Sequence, residues 1–222
     1  MSDVVVVRGQ IMYRCFSPTG DGARTSVIQL SERRNYGKTA CTARLARPAP
    51  EKYFDETPTL FLDFDWTLHI GRASMDEQQR ISLNTGRRLF EFAPLLIKLL
   101  EPYPSVQLVL TTSWLMTLPV EEVVHLMPPE LACRVVDTTR RVKPRLSYLL
   151  NGTDRTYVIS YYATSKRLKH WLALDDAVFG GEQFGRTRGE LAEHFLLLHP
   201  SRGLSDNSAL QRIGGWLAEV HS

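Results

Sequence analysis

The sequence predicts an α/β fold: a parallel sheet with helices on both faces, preceded by a basic N-terminal extension. Three observations predict it. The runs "TLFLDF", "SVQLVLTTSW", "HWLALDD" and "HFLLLH" are apolar without alternation, as in strands buried on both faces. Segments of helical periodicity stand between them. Three of the runs end in acids or hydroxyls, and such sheets bind ligands beyond the carboxyl ends of their strands.

Residues 1–55 read differently from the rest. "DVVVVRGQIMYRCF" and "TSVIQL" are candidate short strands, and "SPTGDGARTS" and "RLARPAPEKYFDETP" read as turn and linker. The boundary is expected between Pro50 and Pro58, giving an extension over 1–55 and the α/β domain over 56–222. Met12 offers a second start. Residues 1–52 carry nine Lys/Arg and four Asp/Glu, so the extension is basic while the whole chain has a net charge of only +3. Such a leader can touch nucleic acid electrostatically, or simply be solvated.

Within the domain, "TLFLDF" opens the sheet. "NTGRRLFEFAPLLIKLLEPY" places Leu89, Phe92, Leu95, Leu96, Leu99 and Leu100 at helical spacing. "SVQLVLTTSW" follows as a strand, and "VEEVVHLMPPELACR" as a helix broken at Pro128-Pro129. "RVVDTT" is a short strand and "RTYVISYYATSKRLK" is helical in pattern. "HWLALDD" and "HFLLLH" complete the sheet, and "DNSALQRIGGWLAEV" is a last amphipathic helix with Ser205 or Asp206 as its N-cap.

Composition excludes several classes. No apolar run approaches the roughly 20 residues of a membrane span. The N-terminal stretch lacks the pattern of a signal peptide, so the cytoplasm is expected. Cys15, Cys41 and Cys133 are too scattered for a disulfide framework or a zinc site, and free thiols suit a reducing compartment.

The chemistry gathers at strand ends. The first offers Asp63, Asp65 and Thr67, the second Thr111, Thr112 and Ser113, and a later one Asp175 and Asp176. Residues two apart share a face of a strand, so Asp63 and Asp65 can face one crevice. Four acids at one edge repel each other unless a cation lies between them, and hard oxygen ligands select Mg²⁺. An Asp can also serve as a nucleophile toward phosphorus. Singly, each of these groups is compatible with an ordinary solvated strand end.

Together, "FLDFDWTLH", "VQLVLTTSW" and "WLALDD" resemble the first, second and fourth motifs of the haloacid dehalogenase (HAD) superfamily, in its order and spacing, over about residues 59–220. The set "DFDxxLH", "TSW", "WLALDD" and "HPSRGLS" is similar to the HAD domains grouped with Swiss Army Knife RNA repair proteins. The resemblance implies a Rossmann-like fold and a Mg²⁺-dependent phosphatase that works through an aspartyl-phosphate. It implies that Asp63 is the nucleophile and Asp65 the general acid/base, whose main-chain carbonyl also binds the metal. Thr112 matches the hydroxyl that holds a phosphoryl oxygen, with Thr111 and Ser113 as alternatives. Asp175 and Asp176 match the metal-binding acids. Arg155 fits the basic third motif, with Lys143 and Lys166 as further candidates.

One position departs from the pattern. Trp66 stands where the family usually has Gly, so its indole either points away or occupies part of the entrance. About 40 residues separate the first two motifs, which leaves room for a minimal cap or none. An open site admits bulky phosphorylated substrates, and the subgroup points to nucleic-acid ends. A non-catalytic binding module and a small-metabolite phosphatase are the alternatives.

Overall fold

The computed structural model describes the main chain of residues 4–7 and 10–13 and, save for Gln79, all of residues 54–222. The strand expected in "TSVIQL" and the turn and linker stretches before residue 54 lie outside the described residues. Two units are distinguished, Met1–Lys52 and Tyr53–Ser222. In the first, β1 (Val4–Val7) pairs antiparallel with β2 (Gln10–Tyr13), within the segment read as short strands.

The second unit is built on five parallel strands. They are β3 (Thr59–Leu62), β6 (Gln107–Leu110), β7 (Val135–Thr138), β8 (Trp171–Asp175) and β9 (Phe195–Leu197), in the spatial order β7-β6-β3-β8-β9. The antiparallel pair β4 (Ala73–Met75) and β5 (Ile81–Leu83) follows β3. The helices are α1 (Ala93–Leu100), α2 (Val120–Leu126), α3 (Pro129–Ala132), α4 (Leu146–Leu150), α5 (Asp154–Lys166) and α6 (Asn207–Val220).

Register explains the two faces of the sheet. Leu60 lies beside Leu108 and Leu172, and Leu62 beside Leu110 and Leu174. These leucines join residues of α1, α2, α3 and α6 in one core. The alternate positions Phe61, Val109 and Ala173 face α5, with Ile159, Tyr162 and Ala163. Phe61 meets Tyr162 and Trp171 edge-on, both at 5.6 Å. Each fully buried leucine contributes about 1.5–3 kcal/mol.

Two sequence readings change. The long helix expected from Asn84 is only α1. Gly86 (φ 67°) and Phe90 (φ 53°) take left-handed backbone that interrupts a helix, and Pro94 fits only the first turn of the one that follows. The pair β4–β5 and helix α4 were not expected. The N-cap is Asp206, whose carboxylate accepts from the Ser208 N–H at 3.0 Å.

The chain runs outward from β3 to β6 and β7, then returns to the other side of β3 as β8. The order therefore reverses between β3 and β8, the place where sheets of this kind bind ligands at the carboxyl edge. Asp63 follows the end of β3 and Asp175 ends β8.

Candidate active site

The site begins where the sheet's main-chain pairing runs out. The Asp63 N–H still bonds to the Leu174 carbonyl at 3.2 Å, the last tie of β3 to β8. The chain then turns sharply: the Phe64 carbonyl accepts from the N–H groups of Thr67 at 3.1 Å and Leu68 at 2.8 Å. Trp66 sits in this turn at φ 59°, left-handed backbone that costs a non-glycine residue about 1–2 kcal/mol. Its side chain is half-buried against the leucine-rich core.

The turn separates the two leading acids. Asp63, Asp175 and Asp176 bring carboxylate oxygens within 4.8 Å of one another. Asp63 and Asp175 are buried and Asp176 half-buried. Arg155, in the first turn of α5, reaches Asp175 Oδ2 at 3.3 Å and Asp63 Oδ2 at 3.9 Å. The Asp65 carboxylate is not in this trio. Its Oδ1 accepts from Trp114 Nε1 at 3.0 Å, His69 Nε2 at 3.1 Å and the Ala73 N–H at 3.2 Å.

The electrostatics follow from crowding. Burial, with Asp65 nearby, pushes the Asp63 carboxyl above its usual range, against the opposing pull of Arg155. Burial and then Asp63 raise Asp175 well above it. Burial and Asp63 push Asp176 up to about 6. Burial works against the charge of Arg155, but the acids around it outweigh that and raise its pKa. One guanidinium could not balance all three carboxylates in their ionised form, which is why crowding raises them.

Four buried polar atoms lack a hydrogen-bond partner among the described residues: Asp63 Oδ1, Asp175 Oδ2, Thr67 Oγ1 and Thr111 Oγ1. All belong to the ends of β3, β6 and β8 or the turn after β3. An unpartnered Asp63 oxygen in an all-oxygen donor set, with three crowded carboxyls sharing one guanidinium, fits a small divalent cation such as Mg²⁺.

The other sequence candidates are placed as follows. Thr111 and Thr112 are buried after β6, and Ser113 is exposed. Thr112 Oγ1 accepts from the Trp114 N–H at 3.4 Å and caps the short helical turn Ser113–Met116. Its hydroxyl also lies close enough to Asp63 to favour the ionised carboxylate. Of the basic candidates, Arg155 is at the acids, Lys166 pairs with Asp137 at 3.3 Å, and Lys143 is exposed.

Sequence reasoning missed the groups around Asp65. His69 and Trp114 both pack, Trp114 edge-on to Phe64 at 5.3 Å. Both also donate to a carboxylate. The available signal was chemical: a buried indole N–H needs an acceptor.

The family model described as the HAD domain in Swiss Army Knife RNA repair proteins matches residues 59–209. No curated protein and no solved structure matches the chain. That match covers the five-stranded sheet, its two acidic strand ends and Arg155, and the chain belongs to the family of HAD domains in Swiss Army Knife RNA repair proteins.

Proposed function

We propose that this chain is a Mg²⁺-dependent phosphohydrolase acting through an aspartyl-phosphate on Asp63. The observation that carries the reading is the Asp63–Asp175–Asp176 trio with Arg155 bridging two of its members. Asp63, Asp175 and Asp176, with the main-chain carbonyl of Asp65, would hold the ion. Bound there, Mg²⁺ supplies charge neutralisation to the phosphoryl oxygens.

The chain's own residues do the rest. An Asp63 oxygen attacks phosphorus in line with the leaving oxygen, while Asp65 gives that oxygen a proton. Asp65 then takes a proton from water as the water attacks phosphorus, which releases phosphate and restores Asp63. Arg155 offsets charge on the phosphorylated intermediate. Thr112 holds a phosphoryl oxygen, with the orphaned Thr111 hydroxyl beside it and Ser113 at the rim.

The substrate class we favour is a phosphorylated nucleic-acid end. The family description and the basic segment 1–55 ahead of the domain 56–222 support it. Trp66 would offer a base a stacking face at the entrance. Among the described residues no helix is long and apolar enough to cross a membrane. The cytoplasm is our proposed setting, on the sparse, scattered cysteines.

A phosphatase screen with Mg²⁺ tests the reading, comparing wild type with Asp63→Asn on an aryl phosphate, on phosphorylated oligonucleotides and on mononucleotides. Loss of at least ~10³-fold in the variant, with the fold kept, is expected. Near-normal turnover by the variant sinks the aspartyl-phosphate mechanism. Preference for mononucleotides favours a small-metabolite phosphatase. Complete inactivity of wild type on every ester favours a binding module, for which strained Trp66 in the usual Gly position is the supporting observation.

A further inference from the structure

Asp65 is fixed through one oxygen only. Oδ1 receives three donors, from the Trp114 indole, the His69 ring and the Ala73 main chain. No hydrogen bond from a described residue reaches Oδ2, and the side chain retains 10% of its exposure. An oxygen ringed by three N–H groups cannot also carry a proton without expelling one of them. Any proton on this carboxyl therefore belongs to Oδ2.

The donors are themselves fixed. The Phe90 N–H points at His69 Nδ1 at 3.4 Å, so Nδ1 is an acceptor. Nε2 then carries the ring proton that faces Asp65 Oδ1. His69 has no exposed surface and lies against Phe90 at 5.6 Å and Trp114 at 6.3 Å. It is shut off from any substrate and cannot be the acid itself. Trp114 is held in turn by Phe64 and Phe90, at 5.3 and 5.8 Å.

We propose that His69 and Trp114 are positioning residues: they clamp Oδ1 of Asp65 and reserve Oδ2 for the proton that the leaving oxygen takes. The assignment rests on the phosphohydrolase reading above. As the bond from phosphorus to the leaving oxygen breaks and the bond to Asp63 forms, the proton passes from Oδ2 to that oxygen. In the second half, Oδ2 takes a proton from the attacking water. A rotated carboxyl would present the wrong oxygen, or none.

Such a role has a signature that mere packing lacks. A nitrophenolate leaves readily without a proton, whereas an alkoxide does not. Misplacing the acid should therefore damage turnover of an alkyl phosphate far more than that of a nitrophenyl phosphate. Trp114→Phe removes the indole N–H and keeps a ring, and His69→Phe does the same for the imidazole donor. His69→Gln retains a donor near the place of Nε2.

With both esters and Mg²⁺, Trp114→Phe and His69→Phe are expected to lower kcat on the alkyl ester by about tenfold or more beyond their effect on the nitrophenyl ester, a part of the ~10²–10⁴ that acid–base catalysis supplies. His69→Gln should recover much of that selective loss. Equal losses on both esters, with wild type active, overturn this assignment alone. If wild type hydrolyses neither ester, the phosphohydrolase reading fails and this assignment falls with it. Nitrogen NMR of the folded wild type gives a readout that does not depend on the variants folding. A proton on Nε2 of His69 supports the assignment, and an Nδ1–H tautomer with a bare Nε2 overturns it.

Discussion

The pocket around Asp63 and the pocket around Asp65 begin two residues apart and differ in what their oxygens meet. Among the described residues Asp63 Oδ1 has no hydrogen-bond partner and Asp175 Oδ2 meets only the Arg155 guanidinium, beside Asp176. Asp65 has one oxygen met by three donors, two from the segment His69–Ala73 and one from Trp114. The first pocket is short of positive charge and hydrogen bonds, and a bound cation would complete it. The second is complete as the chain folds. A phosphoryl-transfer site needs both kinds: a nucleophile whose charge is offset from outside, and an acid whose orientation is fixed from within.

Stability should separate the two pockets most sharply. His69→Ala removes a buried ring, opens a cavity and leaves the Phe90 N–H without its acceptor. A loss of ~2–4 kcal/mol is expected. Asp175→Asn in the metal-free protein should cost little or stabilise, because it relieves repulsion with Asp63. Chemical denaturation of both variants in chelator checks this. Equal destabilisation would mean that the Asp63 pocket is as well satisfied as the other.

Mg²⁺ should act on the first pocket alone. At a hundred times its dissociation constant an ion that binds only the folded state adds ~2.7 kcal/mol. The melting temperature should therefore rise with Mg²⁺ in wild type and in Trp114→Phe, but not in Asp175→Ala. Identical melting curves in chelator and in Mg²⁺ would remove the metal from the proposal.

The difference between the pockets also bears on what could be read without coordinates. The sheet was legible because each strand is a local apolar run, and the acids were legible because they follow those runs immediately. Arg155 could be chosen because it opens the helix before "WLALDD". The clamp on Asp65 was not legible, since Trp114 lies 49 residues away and reaches the carboxylate only once β6 pairs with β3. The β4–β5 pair was missed because its strands are three residues long and largely exposed, with no apolar run to mark them. The helix from Asn84 was overextended because periodicity continues through Phe90, whose backbone is left-handed. Periodicity reports which side chains are apolar, not which residues the turn after β3 forces out of the helix.

pH sharpens the same contrast at smaller amplitude. Asp176 is raised in the fold from 3.8 to about 6, so between those values the folded state binds more protons than the unfolded chain. Stability of the metal-free protein should therefore fall as pH rises through that window, by ~1 kcal/mol from this partly exposed group after solvent screening. Mg²⁺ should oppose the fall, because its ligands bind it deprotonated. The stabilisation by Mg²⁺ should accordingly be larger at pH 7.5 than at pH 5. A gain independent of pH would mean that the ion sits away from Asp176.

Trp66 follows both acids in the chain and should show the smallest effect on stability. It lies between Asp65 and Thr67 at φ 59°, and its ring packs partly against the core. Trp66→Gly relieves backbone strain of ~1–2 kcal/mol. It also loses indole packing and adds freedom to the unfolded chain, which costs ~0.5–1 kcal/mol for the glycine alone. These contributions oppose, so the net change should stay within ~1 kcal/mol. Kinetics are more telling than stability here. A stacking face at the entrance is worth ~1–3 kcal/mol per base, so Trp66→Ala should raise KM for a phosphorylated oligonucleotide by roughly 5–100-fold with little change for an aryl phosphate. An indole that blocks the pocket gives the reverse, with Trp66→Gly increasing turnover of both substrates. Unchanged kinetics on both would mean that the ring serves the core only, and that the entrance to the Asp63 pocket is formed without it.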